Sequence, residues 1–151
     1  MKNASILSQI DNAKLKQVAT RYQLELIVLF GSWAKGKTHS DSDIDIAVRT
    51  TREAFAQLST NTEKQWQWEI DLLADLDEII NEPFDIDLVL LNQVFDSTFL
   101  FEIARYGKLI YQNTLTTFNQ FRAYASRRFD DDAKFRRWGW EYLKRRCFDG
   151  E

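Results

Sequence analysis

The chain of 151 residues carries 20 basic and 23 acidic side chains, a net charge of −3, with 44% hydrophobic and 28% charged residues, which is the size and balance of one globular domain able to bury a core. One cysteine, Cys147, and one histidine, His39, exclude an internal disulfide and a Cys/His zinc site. No apolar run nears the ~20 residues that span a bilayer, and the start "MKNASILSQIDNAK" lacks the apolar block and small-residue cleavage site of a signal peptide; the expectation is a cytoplasmic protein with no membrane partner.

The charge is unevenly placed. Residues 1–112 hold 11 basic and 17 acidic side chains, and residues 113–151 hold 9 and 6. An acidic body offers little positive surface to displace counterions from phosphates, so nucleic acid is not the expected partner. A small charged ligand bridged by cations is compatible with it.

Along the chain, residues 5–22 place Ile6, Ile10, Leu15, Val18, Ala19 and Tyr22 at near-helical spacing with a break near Asp11. "LELIVLF" (24–30) is a short apolar run of strand formers ended by Gly31, and "SDIDIAVR" (42–49) alternates aspartate with Ile44, Ile46 and Val48; both read as strands. Residues 62–81 set Trp66, Ile70, Leu73, Leu76 and Ile80 along one helical stripe, expected to pack into the core. After Pro83, "FDIDLVLLN" (84–92) reads as a third strand with Asp85 and Asp87 on one face and Ile86, Leu88 and Leu90 on the other. Asp96 or Ser97 caps a helix to about Tyr106, Gly107 suits its end, and "KLIYQ" forms a last short strand. Alternating helices and strands give an α+β (or α/β-type) fold, a short mixed sheet flanked by helices. The expected division is 1–112 as one domain and 113–151 as a C-terminal helical extension packed on it or at an interface.

The carboxylates raise the chemical question. Asp43 and Asp45 are two apart, so on a strand both leave the same face. Two adjacent carboxylates repel, and a largely buried strand adds desolvation, which is costly unless a cation offsets it. Magnesium takes hard oxygen ligands, a few carboxylates plus substrate phosphates. Asp41 lies before the strand, where aspartate is an ordinary turn residue. An isolated D-x-D is also what a half-exposed strand looks like; Gly31-Ser32 strengthens the metal reading. A glycine after a strand permits a tight turn and a close approach, and a short helix opening at Ser32 presents free amides to an anion. Lys35 and Lys37 add positive charge nearby.

Gly31-Ser32, ten intervening residues, then Asp43-Ile44-Asp45 resembles the G-S-x10-D-x-D signature of the polymerase-β-like nucleotidyltransferase superfamily. "FDIDLVLL" looks like the later strand that carries the third metal carboxylate there, with Asp87 as the match and Asp85 as the fallback. Within that superfamily, "FGSWAKG", "SDIDIAV" and "FEIARYGKLIYQ" over about residues 20–112 look like the minimal nucleotidyltransferase (MNT) antitoxins of HEPN/MNT toxin–antitoxin pairs. That family commonly has arginine where Lys35 stands and phenylalanine or tyrosine where Trp33 stands; Lys35 keeps the charge without the bidentate fork.

The resemblance implies two magnesium ions ligated by Asp43, Asp45 and Asp87, and ATP held by Gly31, Ser32 and Lys35. It also implies AMP transfer to a tyrosine of a HEPN-domain RNase toxin. The assembly is left open between a homodimer and a hetero-oligomer. In such chemistry the metals activate the attacking hydroxyl, so the poverty in histidine costs nothing and His39 reads as a loop residue. Two alternatives stand beside it: modification of a small hydroxyl compound, as in related aminoglycoside nucleotidyltransferases, and a non-catalytic antitoxin that masks its partner. Clustered charge on a core strand disfavours the masking protein.

The tail reads as two helices, the second capped by Asp130 or Asp131. Phe118, Phe121 and Ala125 form one apolar stripe; Phe135, Trp138 and Tyr142 form another. Both need covering, by the domain's own sheet or by a partner. RNA binding by the tail's arginines is interrupted by the run Asp130–Asp132. Cys147, beside basic residues, reads as an ordinary surface thiol.

Overall fold

The computed structural model describes residues 2–37 and 42–148, with the side chains of residues 2–5 left aside. The elements follow in the order α1 (Lys2–Gln9), α2 (Asn12–Arg21), β1 (Leu24–Phe30), α3 (Gly31–Lys35), β2 (Ile44–Thr50), α4 (Arg52–Leu58), α5 (Thr62–Ile80), β3 (Ile86–Leu90), α6 (Ser97–Tyr106), β4 (Lys108–Gln112), α7 (Thr117–Asp131) and α8 (Ala133–Phe148). The break expected near Asp11 separates α1 from α2, and the Asp11 carboxylate accepts from the Ala13 amide at 2.9 Å as the cap of α2. Of the two candidate caps of α6, Asp96 does the work, accepting from Thr98 N at 2.9 Å. No described helix is long and apolar enough to cross a membrane.

Four strands form one sheet in the order β3-β2-β1-β4. β1 pairs antiparallel with β2 and with β4, while β2 and β3 are parallel. Parallel neighbours require a crossover rather than a hairpin, and α4 and α5 supply it. The helix α4 has no apolar stripe to announce it and was not expected; Thr51 starts it by accepting from the Ala54 amide. The mixed sheet with flanking helices is the expected fold class.

Alternation along the strands divides the core in two. Ile44, Ile46 and Val48 face α2 and α5 with Leu15, Leu72 and Leu76. Ala47, with Leu26 and Val28 of β1, faces α6 and α7 and meets Leu100, Ile103 and Phe121. The first aromatic stripe of the tail is thus absorbed by the domain itself: Phe121 and Ala125 are buried and Phe118 packs beside them.

Two expectations fail, the first only in part, since Leu76 and Ile80 of the α5 stripe are buried as expected. Trp66 and Ile70 are 64% and 39% exposed. The inward face of α5 is instead centred on Leu72, Leu76 and Ile80, because Tyr22 of the neighbouring helix packs edge-on against Trp68 at 5.9 Å and bonds Asp75 at 2.5 Å. Those contacts fix the rotation of α5, whose apolar band is wider than the sheet can cover. Burial and the Asp75 bond push the Tyr22 phenol up to about 12. Second, Asp130 and Asp131 lie in the last turn of α7 and do not cap α8; α7 continues because Asp132 stays helical. Gly107 ends α6 as expected, in extended backbone with φ −64°. Its reason is space: a Cβ there would stand 2.3 Å from the Ile103 carbonyl oxygen and 2.5 Å from Val28 Cγ1.

Phe121→Ala should cost about 3–5 kcal/mol in urea unfolding followed by circular dichroism, the range for an emptied aromatic core site. Tyr124→Ala, on the exposed side of the same helix, should stay within about 1 kcal/mol.

Candidate active site

Strand register assembles the site. Phe30, the last residue of β1, stands opposite Asp45, and Asp45 stands opposite Asp87 in the parallel pair. The end of β1 and the starts of β2 and β3 therefore share one rim of the sheet. The Ile44 amide donates to the Asp85 carbonyl at 2.8 Å, which ties the approach to β3 beside Asp43. Asp43 precedes β2 and is exposed, Asp45 is half-buried, and Asp87 is exposed on the edge strand.

Gly31 explains why this rim admits a carboxylate. Its φ is +70°, in the region that favours glycine. A Cβ at this position would lie 2.1 Å from Asp45 Oδ2, so the close approach predicted for glycine is made by the protein's own aspartate. From there α3 begins, with no side-chain cap on its first turn, so the leading amides have no partner within the helix. Ser32 follows, half-buried, and its carbonyl accepts from the amides of Gly36 and Lys37, which closes the turn.

The Asp45 carboxyl titrates above its ordinary value, first because burial penalises its charge and then because Asp87 and Asp43 repel it. This places the three predicted carboxylates within one electrostatic neighbourhood. Asp85 is not among the groups acting on Asp45; it lines a groove with Ile70 and Leu73 of α5. Among the described residues no three acidic, histidine or cysteine side chains already stand as a closed metal cage. The donor set nevertheless suits a hard divalent cation, since its members are carboxylates alone and one is held charged only at a cost. His39 and Asp41 lie outside the described residues.

Lys35 is engaged within the protein itself. Its amine is ion-paired with Glu102 and sits 4.7 Å above the Tyr106 ring, both on α6. Trp33 was not singled out as a site residue, yet it is 2% exposed, its indole N–H donates to the Ser42 carbonyl at 3.1 Å, and its ring meets Phe84 at 5.1 Å. It therefore anchors the residues just before Asp43 and near the start of β3. A large aromatic inside a short turn following a strand was the available signal.

The sequence profile of the family described as Polymerase beta, Nucleotidyltransferase matches residues 13–115. The chain belongs to the polymerase-β nucleotidyltransferases. No curated protein matches this nucleotidyltransferase significantly. Among solved structures, a toxin–antitoxin with AMP-PNP contains a chain that superimposes with a TM-score of 0.61 at 23% identity, covering 89% of this chain and 99% of that one. A tri-AMPylated Shewanella oneidensis HEPN toxin in complex with an MNT antitoxin gives 0.56 at 21%, covering 87% and 94%. The MntA–HepT toxin–antitoxin gives 0.55 at 21%, covering 87% and 95%. At these identities the likeness is one of fold, and it spans the matched chains almost entirely.

Gly31→Ala should displace the Asp45 carboxylate and abolish nucleotidyl transfer, with a loss of stability of about 1–3 kcal/mol from the positive φ and the clash; activity assay and urea unfolding check both. A second outcome concerns pH. Because the folded-state pKa of Asp45 is raised above its ordinary value of 3.8, the folded form binds the proton more tightly, and stability falls as pH rises from that value through the folded pKa. In EDTA, Asp45→Asn should therefore melt higher than the parent protein at neutral pH, with the gap closing near pH ~4; thermal melts followed by circular dichroism check it.

Proposed function

We propose that this nucleotidyltransferase is an antitoxin that transfers AMP from ATP to a tyrosine hydroxyl of a HEPN-domain RNase toxin and thereby silences it. The observation that carries the reading is the Asp45 carboxylate seated against Gly31, in register with Asp87 and repelled by its neighbours. A steric mask would gain nothing from this cost, whereas a catalyst that must hold cations needs it. The fold shared with chains of toxin–antitoxin structures, one with AMP-PNP and one with an AMPylated toxin, supports the donor and the acceptor.

Magnesium ions held by Asp43, Asp45 and Asp87 would neutralise phosphate charge and lower the pKa of the acceptor hydroxyl. The chain's own groups have definable tasks. Gly31 keeps the space for Asp45, and Trp33 holds Ser42 and with it the approach to β2. The leading amides of α3 and the Ser32 hydroxyl are donors suited to phosphate oxygens. Lys35 would reach a phosphate only by leaving Glu102, so in the resting protein it braces α3 against α6. In the reaction the phenolic oxygen forms a bond to the α-phosphorus, the bond to pyrophosphate breaks, and the phenolic proton is lost to solvent. Residues 1–112 act as the catalytic unit in this reading and 113–151 as its helical extension, in a cytoplasmic setting.

With magnesium and α-labelled ATP, the protein should label a HEPN-domain toxin encoded beside it, and Asp43→Asn with Asp45→Asn should reduce labelling at least ~10³-fold. Neutralisation of the toxin by the folded double variant, without label, would establish masking instead.

A further inference from the structure

Two apolar stripes, the one on α5 expected to pack into the core and the one on α8 expected to need covering by the sheet or by a partner, are left open by the fold. On α8, Phe135, Trp138 and Tyr142 are 57%, 60% and 58% exposed, and α8 buries no residue at all. On α5, Trp66 and Ile70 are exposed, and Ile70 and Leu73 line a groove of about 430 Å³ with Ala74, Asp77, Asp85 and Ile86. Each alone is an uncovered apolar face. Together they match.

The match is one of charge around an apolar centre. On α8, Phe135 packs edge-on against Trp138 at 5.7 Å, Lys134 lies over the Phe135 ring and Arg146 over the Tyr142 ring; helical spacing puts Arg145 on the same side. The result is an aromatic strip with a basic rim. The groove on α5 has an aliphatic floor with Asp77 and Asp85 at its sides. Over their whole lengths α8 carries six basic residues and one acidic, α5 six acidic and one basic. Apolar centres with rims of opposite sign give both area and steering.

The two faces do not meet within one chain. α7, which leads into α8, packs on the side of the sheet that holds Phe121 and contacts β1 and β4, whereas α5 packs on the opposite side and contacts β3, at the other edge. The start of α8 is fastened there as well: the Arg136 guanidinium donates to the Phe129 carbonyl at 2.7 Å and lies over the Phe129 ring, and Phe129 stacks on Phe101 of α6. We infer that the α8 strip of one copy docks in the α5–β3 groove of a second copy, and reciprocally, as a two-fold homodimer. Reciprocity uses both faces of both copies, leaves neither free to propagate a chain, and doubles the covered area toward the ~1,200–2,000 Å² of a specific interface. The carboxylate rim lies on the Phe121 side of the sheet, as the positions of Asp45 and Ala47 on one strand face require, opposite the side on which α5 packs. The inference does not depend on the proposed acceptor or on catalysis.

Sedimentation equilibrium of the full chain should return twice its mass of 17.8 kDa, with dissociation favoured by salt. Trp138→Ala with Tyr142→Ala, and separately Asp77→Arg, should each weaken the dimer at least about tenfold while circular dichroism stays unchanged, all three side chains being exposed. Arg145→Asp should do the same, and the combination Asp77→Arg with Arg145→Asp should recover most of the loss. A monomer at all concentrations, or a dimer indifferent to these substitutions, would overturn the inference; so would capture of the strip by a HEPN-domain toxin while the protein alone remains monomeric.

Discussion

The carboxylate of Asp45 sets the terms for the rest of this protein. It stands on a central strand, half withdrawn from water, with Asp43 just before that strand and Asp87 across the parallel pair, and the folded chain keeps it there at the expense of its ordinary acidity. Only a backbone without a Cβ can pass so close, which is why β1 is followed by Gly31 at positive φ. The turn that glycine permits becomes α3, and α3 carries Trp33 back into the core to hold Ser42. The cost of the charge and the geometry of the turn are two sides of one arrangement.

That arrangement needs a sheet with mixed pairing. An antiparallel hairpin alone would bring only Phe30 and Asp45 together; the third carboxylate arrives because β3 lies parallel to β2 and starts at the same rim. The crossover through α4 and α5 is thus part of what builds the site. Stability is supplied elsewhere, by the two apolar layers on either side of the sheet, and the rim can remain costly because those layers are well filled.

Beyond the sheet the chain is divided into a half that is absorbed and a half that is not. α7 is drawn into the core through Phe121 and Ala125, while α8 leaves the body with its aromatic strip uncovered. The groove on α5 has the same origin, since a helix with more apolar surface than one sheet face can cover must show the remainder to solvent or to another molecule.

The strands, the Gly-Ser turn and the three aspartates were legible from residue order because they depend on local rules: alternation with period two, the freedom of glycine, and fixed spacing; α4, which has no apolar stripe, was not. The likeness to nucleotidyltransferases rested on the same local pattern. Three further things were not legible. Which side of α5 faces inward was decided by Tyr22 and Trp68, residues far apart in sequence; the partner of Lys35 was decided by Glu102 on a helix 67 positions away; and Gly107 is required by the proximity of Val28, not by its own dihedral angles. In each case the sequence determined what a segment could form, and only tertiary packing decided which of its faces and charges met, because those contacts join side chains whose spacing along the chain carries no information about their distance in space.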